Sequence, residues 1–530
     1  MYSFRKKINQ NLINSFIKLN KFKVENYNNG KKILLVDRNL PESNLFTSYF
    51  SYIINKKFKY DIFLLTSQSN NNQLNQIYKS FKIENIFYLS KKKNIFKFLI
   101  LFKSFLYFLL SFYEIILGSR TNFVKNYKIK GIYFGDVIYD QFIRLDNQYE
   151  KDTLISFKFF KLIFMTLYKF FYIDALISNN KFDFIISNTH TYASNSTIAM
   201  RIALKRNIKV INILSSRFRI YKKLYQSYRS ELFHDLEKIK DLKKIDKNWN
   251  KKLDIYFKKR FDGKIRHHNV IDAYSNKKTN IGNIFPKHKF KKVILFAPHA
   301  FSDANHAFGK LLFDSYYHQF MKTLEIAKKT PDFLWIIKNH PTNHKFKSER
   351  YKFGEEEIVL GELQKIQNKN IFYCPSNLST KSLIEFSDLV ITGRGSIGLE
   401  TAILGKKALL CGENFYSNKG ITLDPKNIEE YEKIICNTKM KIKLSKSKIL
   451  LAKKLFYIFA FKNSHLKEDM IQRNNYVNII NHKTIKQRFF SIEEFLVNFD
   501  KSLRKHKSNI LNDRLFKHFE KRFLSIQSLK

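Results

Sequence analysis

The segment from Ser387 to Gly412, SDLVITGRGSIGLETAILGKKALLCG, determines the predicted fold. Leu389 to Thr392 is a short apolar run, which predicts a buried strand. Gly393 to Ser396 predicts a turn in which the two glycines take backbone angles closed to other residues. The next residues, Ile397 to Leu404, have helical spacing, and Gly405 is a stop signal for that helix. A second apolar run follows, so the segment predicts a strand–helix–strand unit.

The turn between this strand and its helix is a predicted phosphate site. Free backbone N–H groups and the helix dipole attract an anion to the start of a helix. Ser396 adds a hydroxyl and Arg394 adds a positive charge, next to Gly393 and Gly395. An ordinary tight turn would have a similar sequence, so this pattern alone leaves both interpretations open.

A second strand end lies upstream of this turn. Phe333 to Ile337 predicts a strand, and Lys338, His340 and Pro341 lie in the four residues that follow it. Because proline disfavours a helical conformation in the preceding residue, His340 is held in an extended backbone. The carboxyl ends of parallel strands border one crevice. We therefore expect His340 and the glycine-rich turn to bind one anion, with Lys338 and Pro341 beside them.

The composition gives only weak limits on function. At 530 residues, with 44% hydrophobic residues, the chain is long enough for two or three domains. The formal net charge of +51 would ordinarily indicate a nucleic-acid partner. The lysines are spread evenly, however, and no glycine-aromatic RNA-binding motif or zinc-finger spacing accompanies them. We therefore expect no specific nucleic acid, whereas so basic a surface favours anionic membranes and anionic sugar nucleotides.

Three cysteines, Cys374, Cys411 and Cys436, show no paired pattern, and two of them lie in apolar, strand-like contexts. They predict buried thiols in a reducing compartment rather than a disulfide framework or a metal cluster. The N-terminal residues lack the apolar core of a signal peptide. We expect a cytoplasmic protein.

Further apolar runs predict a chain of the α/β class with two domains. Strands are predicted at Lys32–Asp37, Asp61–Thr66, Ile83–Leu89, Asp183–Ser187, Lys209–Leu214, Val293–Ala297 and Ile371–Tyr373. Their alternation with helical segments is typical of Rossmann-like units. We predict a Rossmann-like acceptor domain over residues 1–285, a Rossmann-like donor domain over residues 286–445 and a basic helical extension over residues 446–530.

The most apolar stretch, Phe98 to Leu117, is nearly long enough to span a membrane. Lys103 and Glu114 interrupt it, and both of its flanks are basic. Three interpretations stay open: a buried core helix, an interfacial amphipathic helix and a transmembrane span. The interfacial interpretation fits an enzyme whose acceptor is linked to a lipid.

The N-terminal half offers weak candidates for a catalytic base. His190 follows a predicted strand, and Asp136 and Asp140 lie in an otherwise apolar segment. Each of these groups could accept a proton from a substrate hydroxyl. His190 also fits a capping or packing role, and the two carboxylates also fit helix caps or structural pairs.

Two Rossmann-like halves, a strand-end His-Pro and a Gly-Ser-rich corner together resemble a GT-B glycosyltransferase, whose two Rossmann-like domains face a cleft. More narrowly, Val293 to Thr422 resembles the capsule polysaccharide synthesis family, which includes bacterial Kdo transferases. The resembling pieces are FAPHAFSD (Phe296–Asp303), KNHP (Lys338–Pro341) and the long motif from Ser387 to Thr422. Its TGRGS turn departs from the Gln-Ser/Thr-rich turn of those transferases, which leaves the donor sugar open.

The resemblance implies a CMP-activated acidic sugar as the donor. It implies that His340 contacts the donor phosphate and helps CMP to leave, while Ser396 and the backbone at Gly395 hold the same phosphate. Glu400, on the helix after the turn, is implied to lie near the ribose or the base. Preorganised donors of this kind stabilise the charge that the leaving nucleotide gains in the transition state.

His299 and Asp303 follow the first predicted strand of the second domain, and His306 comes soon after. Their spacing is irregular for a metal site, so contact with donor or acceptor is their expected role. No Asp-x-Asp pair lies where a metal-dependent glycosyltransferase would hold its ion. We expect no obligatory metal and no cofactor apart from the nucleotide-sugar donor.

The sequence therefore predicts a metal-independent GT-B glycosyltransferase of bacterial capsule or lipopolysaccharide biosynthesis. It is expected to act on a glycan or lipid-linked acceptor, peripherally at the anionic inner face of the plasma membrane, with Asp136 or His190 as the base. One alternative is a sugar-nucleotide epimerase or a polyol-phosphate transferase of the same fold. The other is a non-enzymatic basic protein that binds membranes or nucleic acid.

Overall fold

The computed structural model describes residues 22–37, 41–67, 73–89, 95–146, 154–214, 217–230, 246–262, 281–340, 355–366, 368–374 and 378–462, with the single positions 14, 17, 232, 233, 236 and 523. The chain divides into two compact units. The first comprises residues 1–138, 153–228 and 464–530, and the second comprises residues 139–152 and 229–463.

The first unit is built on a six-stranded sheet. The strands of this unit are β1 (Lys32–Val36), β2 (Asp61–Thr66), β3 (Asn85–Tyr88), β4 (Lys128–Ile129), β5 (Ile132–Tyr133), β6 (Phe184–Ser187), β7 (Lys209–Leu214) and β8 (Arg217–Tyr221). The main sheet has the order β3-β2-β1-β6-β7-β8, and β4 and β5 form a separate antiparallel pair. Within the main sheet all neighbours are parallel except β7 and β8.

Helices cover this sheet and bury its apolar strands. They are α1 (Pro41–Phe58), α2 (Gln73–Ser80), α3 (Ile95–Leu117), α4 (Arg120–Asn126), α5 (Gly135–Asp146), α6 (Phe157–Asn180) and α7 (Asn195–Lys205). The boundary between the two units falls within α5. The central strand β1 is buried along most of its length, as expected for a parallel sheet with helices on both faces.

The second unit has a six-stranded sheet in which every pair of neighbours is parallel. Its strands are β9 (Lys292–Ala297), β10 (Phe333–Ile337), β11 (Ile371–Tyr373), β12 (Leu389–Thr392), β13 (Ala408–Leu410) and β14 (Thr422–Leu423). Its helices are α8 (Trp249–Phe261), α9 (Ile281–Ile284), α10 (Tyr316–Lys329), α11 (Glu355–Ile366), α12 (Thr380–Phe386), α13 (Ser396–Ile403), α14 (Ile428–Cys436) and α15 (Lys446–Tyr457).

Both main sheets have the same strand order. Numbered along the chain within its own sheet, each runs 3-2-1-4-5-6, because the second has the order β11-β10-β9-β12-β13-β14. This is the doubly wound order of Rossmann-like units, whose ligands bind where the direction of winding reverses. In the second unit that point lies between β9 and β12. The predicted α/β fold with two Rossmann-like units is confirmed.

The reason for glycine in the turn after β12 differs from the predicted one. Neither Gly393 nor Gly395 is among the described glycines with positive φ, and Gly395 has a φ of −68°. Gly393 is required instead for close packing, because an added Cβ would lie 2.9 Å from Cε1 of Tyr316. The predicted stop signal is confirmed, since Gly405 follows α13 with a φ of +89°.

The compact units differ from the predicted domain limits at 285 and 445. Helices α8 and α15, on either side of the predicted donor domain, share one apolar core with α13. Phe257 of α8, Leu399 of α13 and Phe456 of α15 all belong to it. Both helices are rich in lysine, and the sequence pattern did not show which apolar surface their buried faces would cover. Most of the predicted C-terminal extension, residues 463–522 and 524–530, lies outside the described residues.

We expect Gly405→Ala to lower the free energy of unfolding of the second unit by about 1–2 kcal/mol, because a Cβ is strained at positive φ. Thermal unfolding measures the change. Gly361→Ala is the control, since Gly361 lies inside α11 and an added Cβ would meet no atom within 4 Å. There the same methyl group should raise stability by about 0.5–1 kcal/mol. Equal effects at the two positions would contradict the role of Gly405.

Candidate functional site

A pocket of about 160 Å³ lies in the second unit, beside the carboxyl ends of β9, β12 and β13. This is the edge of the sheet at which the winding reverses. The pocket combines polar and charged groups with aromatic walls. Its lining residues are Ser230, Leu232, His299, Phe308, Arg394, Ser396, Leu399, Glu413, Asn414, Phe415, Tyr416 and Phe459.

The turn after β12 brings the first residue of α13 to this pocket. Gly395 is the N-cap residue of α13 and supplies no side-chain cap, and Ser396 is the first helical residue. The turn is fixed from outside, because Tyr416 Oη donates to the carbonyl oxygen of Gly395. Asn414 Nδ2 donates to the carbonyl oxygen of Arg394 at 2.7 Å. The positive end of α13 and the Ser396 hydroxyl therefore lie at the same pocket.

Arg394 forms a charged part of the pocket wall, although its side chain is buried. Its Nη2 donates to the carbonyl oxygen of Asn305 at 2.9 Å and to that of Gly309 at 3.3 Å. The guanidinium also lies over the ring of Tyr316, with Cζ 5.8 Å from the ring centroid. Among the described residues, Nε and Nη1 have no hydrogen-bond partner. Two donors of this buried cation therefore lack a hydrogen-bond partner within the described part of the chain.

Two other buried arginines in the described part of the chain each form an ion pair with a carboxylate. Arg201 is paired with Asp136, and Arg260 is paired with Glu400. No carboxylate among the described residues is paired with Arg394 in this way. A buried charge without a counter-charge is costly, and an anionic ligand would remove that cost. The part of the pocket formed by Arg394 therefore favours an anion.

Two histidines stand beside the pocket at adjacent strand ends. The ring of His299, after β9, lies 5.4 Å from that of His340, after β10, in an edge-to-face arrangement. Only His299 of the two lines the pocket. Burial lowers the pKa of His299; the nearby Asp303 carboxylate opposes this shift, and the Arg394 charge adds to it. The imidazole is therefore neutral at pH 7 and can donate or accept one hydrogen bond.

A comparison with protein-family models identifies much of the second unit. Residues 243–459 match the model described as "Capsule polysaccharide biosynthesis protein". The segment 243–459 is similar to this family. The predicted resemblance to capsule polysaccharide synthesis proteins is thereby confirmed, and it extends beyond the predicted Val293–Thr422. The match supports a role in the biosynthesis of a surface polysaccharide. No curated protein sequence is similar enough to count as a relative.

Solved structures of three kinds resemble the chain at low similarity. A UDP-GlcNAc 2-epimerase from Neisseria meningitidis is 14% identical, with 88% of this chain and 99% of that one covered and a TM-score of 0.19. The β-Kdo 2,4-transferase KpsC from Thermosulfurimonas dismutans is 14% identical, with 51% and 79% covered and a TM-score of 0.29. The wall teichoic acid polymerase TagF is 12% identical, with 94% and 95% covered and a TM-score of 0.19. With scores this low, the fold assignment depends on the two sheets themselves.

Several predicted donor-binding residues of the capsule synthesis segment lie away from the pocket lining. Lys338 is buried, and its Nζ donates to the carbonyl oxygen of Leu378 at 2.8 Å. Glu400 is buried against Arg260, whose Nε lies 3.1 Å from Oε1 of the carboxylate. The structure therefore gives both groups local partners. Pro341 lies outside the described residues.

The loop after β9 does not gather its acidic and histidine side chains into one cluster. His299 Nε2 lies 3.6 Å from Oδ2 of Asp303. His306 turns to another partner, because its Nδ1 lies 2.9 Å from Oδ1 of Asp140. The backbone N–H groups of His306 and Ala307 also donate to Asp140. Within the described ranges, no group of three His, Cys, Asp or Glu side chains could hold a metal ion.

The predicted bases Asp136 and His190 both belong to the first unit. Asp136 is fully buried in a two-pronged ion pair, with Arg201 Nη1 and Nη2 at 2.7 and 2.6 Å from its two oxygens. The Cζ atom of Arg201 also lies 5.4 Å from the ring centroid of Phe134 and 4.8 Å from that of Tyr228. This geometry fits a structural pair better than a free base. His190 is buried just beyond the end of β6.

Sequence reasoning missed two polar residues of the pocket. Glu413 and Asn414 follow β13 and line the pocket beside Arg394. Glu413 also forms an ion pair with Arg229, whose Nη2 lies 3.1 Å from Oε1 of the carboxylate. Their position in the sequence could have indicated them, because they follow shortly after a predicted strand of the same sheet. Recognising it required the strand order, which places β13 next to β12.

We expect Asp136→Asn to destabilise the first unit by about 3–5 kcal/mol, because it leaves the Arg201 charge buried without a counter-charge. Chemical unfolding measures the loss. Asp332→Asn is the control, since Asp332 forms an exposed pair with Lys291, and a change under about 1 kcal/mol is expected there. The double variant Asp136→Leu, Arg201→Met should recover part of the stability. An Asp136→Asn variant as stable as the control would contradict the structural role of this pair.

Proposed function

We propose that the chain is a GT-B glycosyltransferase that transfers a sugar from a nucleotide-activated donor to a growing surface polysaccharide or its lipid-linked precursor. The family match of residues 243–459 to capsule polysaccharide biosynthesis proteins supports this proposal. The Rossmann-like order of the second sheet supports a nucleotide site at its winding reversal. In this proposal the pocket of the second unit holds the donor's phosphate.

The observation that carries the proposal is the buried guanidinium of Arg394. Its Nε and Nη1 have no partner among the described residues, and it lines the pocket together with Ser396 and His299. A donor phosphate would accept hydrogen bonds from this guanidinium and from the Ser396 hydroxyl at the positive end of α13. Charge, hydrogen-bond donors and helix dipole would then all act on one anion.

These groups suit the chemistry of sugar transfer. The acceptor hydroxyl oxygen attacks the anomeric carbon, the bond from that carbon to the phosphate oxygen breaks, and the nucleotide leaves with the electron pair. Arg394, Ser396 and the start of α13 would stabilise the negative charge that develops on the leaving phosphate. Neutral His299 would donate a hydrogen bond to the same group, with the ring of His340 packed against it edge to face. The acceptor proton passes to a base, a role for which Asp136 is poorly suited by its pair with Arg201.

We further propose a CMP-linked acidic sugar as the donor and a cytoplasmic site of action. The acidic donor is suggested by the family resemblance and fits the excess of 96 basic over 45 acidic residues. Within the described residues, Cys374, Cys411 and Cys436 form no disulfide bond, which fits a reducing compartment.

We expect CMP to raise the thermal midpoint of the purified protein, in a screen that also includes CDP, UDP, GDP and ADP. At 100 times its Kd a ligand that binds only the native state adds about 2.7 kcal/mol to stability. Ser396→Ala and His299→Asn should each weaken nucleotide binding by about tenfold or more, because a hydrogen bond to a charged group is lost. Isothermal calorimetry measures that loss.

His288→Ala is the matched control for the histidine variant, because His288 is exposed on the short helical turn Lys287–Lys289. It should bind nucleotide as the wild type does. A shift with UDP or GDP instead of CMP would replace the donor and keep the reaction class. No response to any nucleotide, with or without a glycan acceptor, would contradict the glycosyltransferase and favour the non-enzymatic alternative.

We expect sugar transfer to continue in excess EDTA, because the proposed stabilisation of the leaving group comes from the protein's own donors. Ser396→Ala should abolish transfer, and His340→Ala should weaken it by removing the ring that packs against His299. Both variants should leave the circular dichroism spectrum unchanged. Product analysis by mass spectrometry follows both the donor and the acceptor. An isomerised donor without consumption of acceptor would identify an epimerase, and loss of transfer in EDTA with rescue by Mg²⁺ would overturn the metal independence.

A further inference from the structure

Helix α3 exposes an unusually large apolar face. Its 23 residues make it roughly 35 Å long. Apart from a narrow stripe, its large apolar side chains face outward, and several are exposed by more than half. The exposed ones are Phe98, Leu99, Leu101, Phe102, Phe105, Leu106, Leu109, Leu110, Phe112, Tyr113, Ile116 and Leu117. Soluble monomers rarely expose contiguous apolar patches of this size. The interpretation of this stretch as a buried core helix is therefore wrong.

The polarity of α3 is inverted relative to a helix on the surface of a soluble protein. Its buried stripe consists of Ile100, Ser104, Ser111 and Ile115, so two hydroxyl side chains face the protein. Ser104 Oγ donates to the carbonyl oxygen of Ile100, and Ser111 Oγ lies 2.7 Å from the hydroxyl of Tyr127. A surface helix normally turns its polar side to the solvent. The environment that α3 faces is accordingly less polar than the protein surface beneath it.

Helix α3 is attached lengthwise to the first unit. Tyr107 packs on Phe171 of α6 with ring centroids 4.8 Å apart, and Phe112 packs on Phe160 at 4.8 Å. By length and composition α3 is the one described helix that could cross a membrane, yet 22% of its most apolar window is buried against the protein. A helix crossing the bilayer in this state would pull the polar surface of an α/β unit into hydrocarbon. The packing therefore favours a helix that lies in the plane of the interface.

The charges around this face favour an anionic bilayer as its partner. Lys103 on α3 and Lys158 and Lys161 on α6 are exposed, and Glu114 is the single acidic residue of α3. Lysines beside an apolar face match the headgroups and acyl chains of an anionic bilayer. A second copy of this chain fits less well, because it would place the same lysines and a net charge of +51 against themselves.

We propose that α3 is a monotopic anchor, which lies in the plane of an anionic membrane with its apolar face among the acyl chains. The exposed lysines of α3 and α6 contact the lipid headgroups. This inference stands apart from the sugar-transfer proposal, because it uses residues of the first unit and none of the pocket.

The test is flotation of the full-length protein with vesicles of phosphatidylcholine alone or of phosphatidylcholine mixed with anionic phosphatidylglycerol, whose negative surface attracts basic side chains. We expect binding to the anionic vesicles. The variant Leu106→Asn, Leu110→Asn should bind about tenfold more weakly or worse, because two apolar side chains no longer leave water. The control Ile255→Asn, Leu450→Asn changes two comparably exposed residues on α8 and α15 and should bind as the wild type does.

The orientation of α3 is tested by single tryptophans at Leu99, Leu106 and Leu117, with lipids brominated at known depths as quenchers. Trp249 and Trp335 are buried and give a constant background. A helix in the plane of the interface predicts one shared depth for the three reporters. A deeper position for the middle reporter than for the two ends would show a spanning helix and overturn the monotopic arrangement.

Three outcomes would overturn the membrane anchor itself. The first is the absence of binding to either kind of vesicle. The second is equal binding of the α3 variant and its control, with complete release at high salt, since screening removes charge contacts alone. The third is a lipid-free dimer in light scattering that the α3 variant converts to a monomer, because a second copy would then cover the face.

Discussion

The buried guanidinium of Arg394 is the interaction on which the organisation of the candidate site depends. Through Nη2 it holds the carbonyl oxygens of Asn305 and Gly309, and so ties the loop after β9 to the turn after β12. Glycine is needed close by, because a Cβ at Gly412 would lie 2.8 Å from Arg394 Nε. The same residue lines the pocket, so one side chain both shapes the site and charges it.

Three buried arginines, Arg201, Arg260 and Arg394, differ in how their charge is balanced. In the first unit, Arg201 is neutralised by Asp136, and the result is a closed structural pair. In the second, Arg260 is neutralised by Glu400, which holds α8 against α13. Arg394 has no such carboxylate among the described residues and lies at the end of the strand where the winding reverses. A carboxylate of the protein neutralises the charge of the first two arginines, whereas the charge of the third favours an anion from outside.

The apolar face of α3 is also in an unfavourable environment, but here apolar groups are exposed to water. A large exposed area of leucine and phenylalanine side chains is unfavourable in water, just as an unpaired buried charge is unfavourable in a protein interior. Serines at the buried stripe find partners within the protein, Ser111 with Tyr127 among them. An enzyme that works on a lipid-linked acceptor would gain from such an anchor, because attachment to the bilayer raises the local concentration of its substrate.

The sequence by itself determined the fold class and the position of the site along the chain. Apolar runs and the glycine-rich turn are local signals, and the predicted strands Phe333–Ile337 and Leu389–Thr392 match β10 and β12. Tertiary structure decided which of these ends are neighbours. It placed β9 between β10 and β12, so that His299 rather than His340 lines the pocket, and it gave Glu400 to Arg260. Strand order and the pairing of buried charges depend on contacts between segments that are distant in the sequence. A local sequence pattern does not predict those contacts.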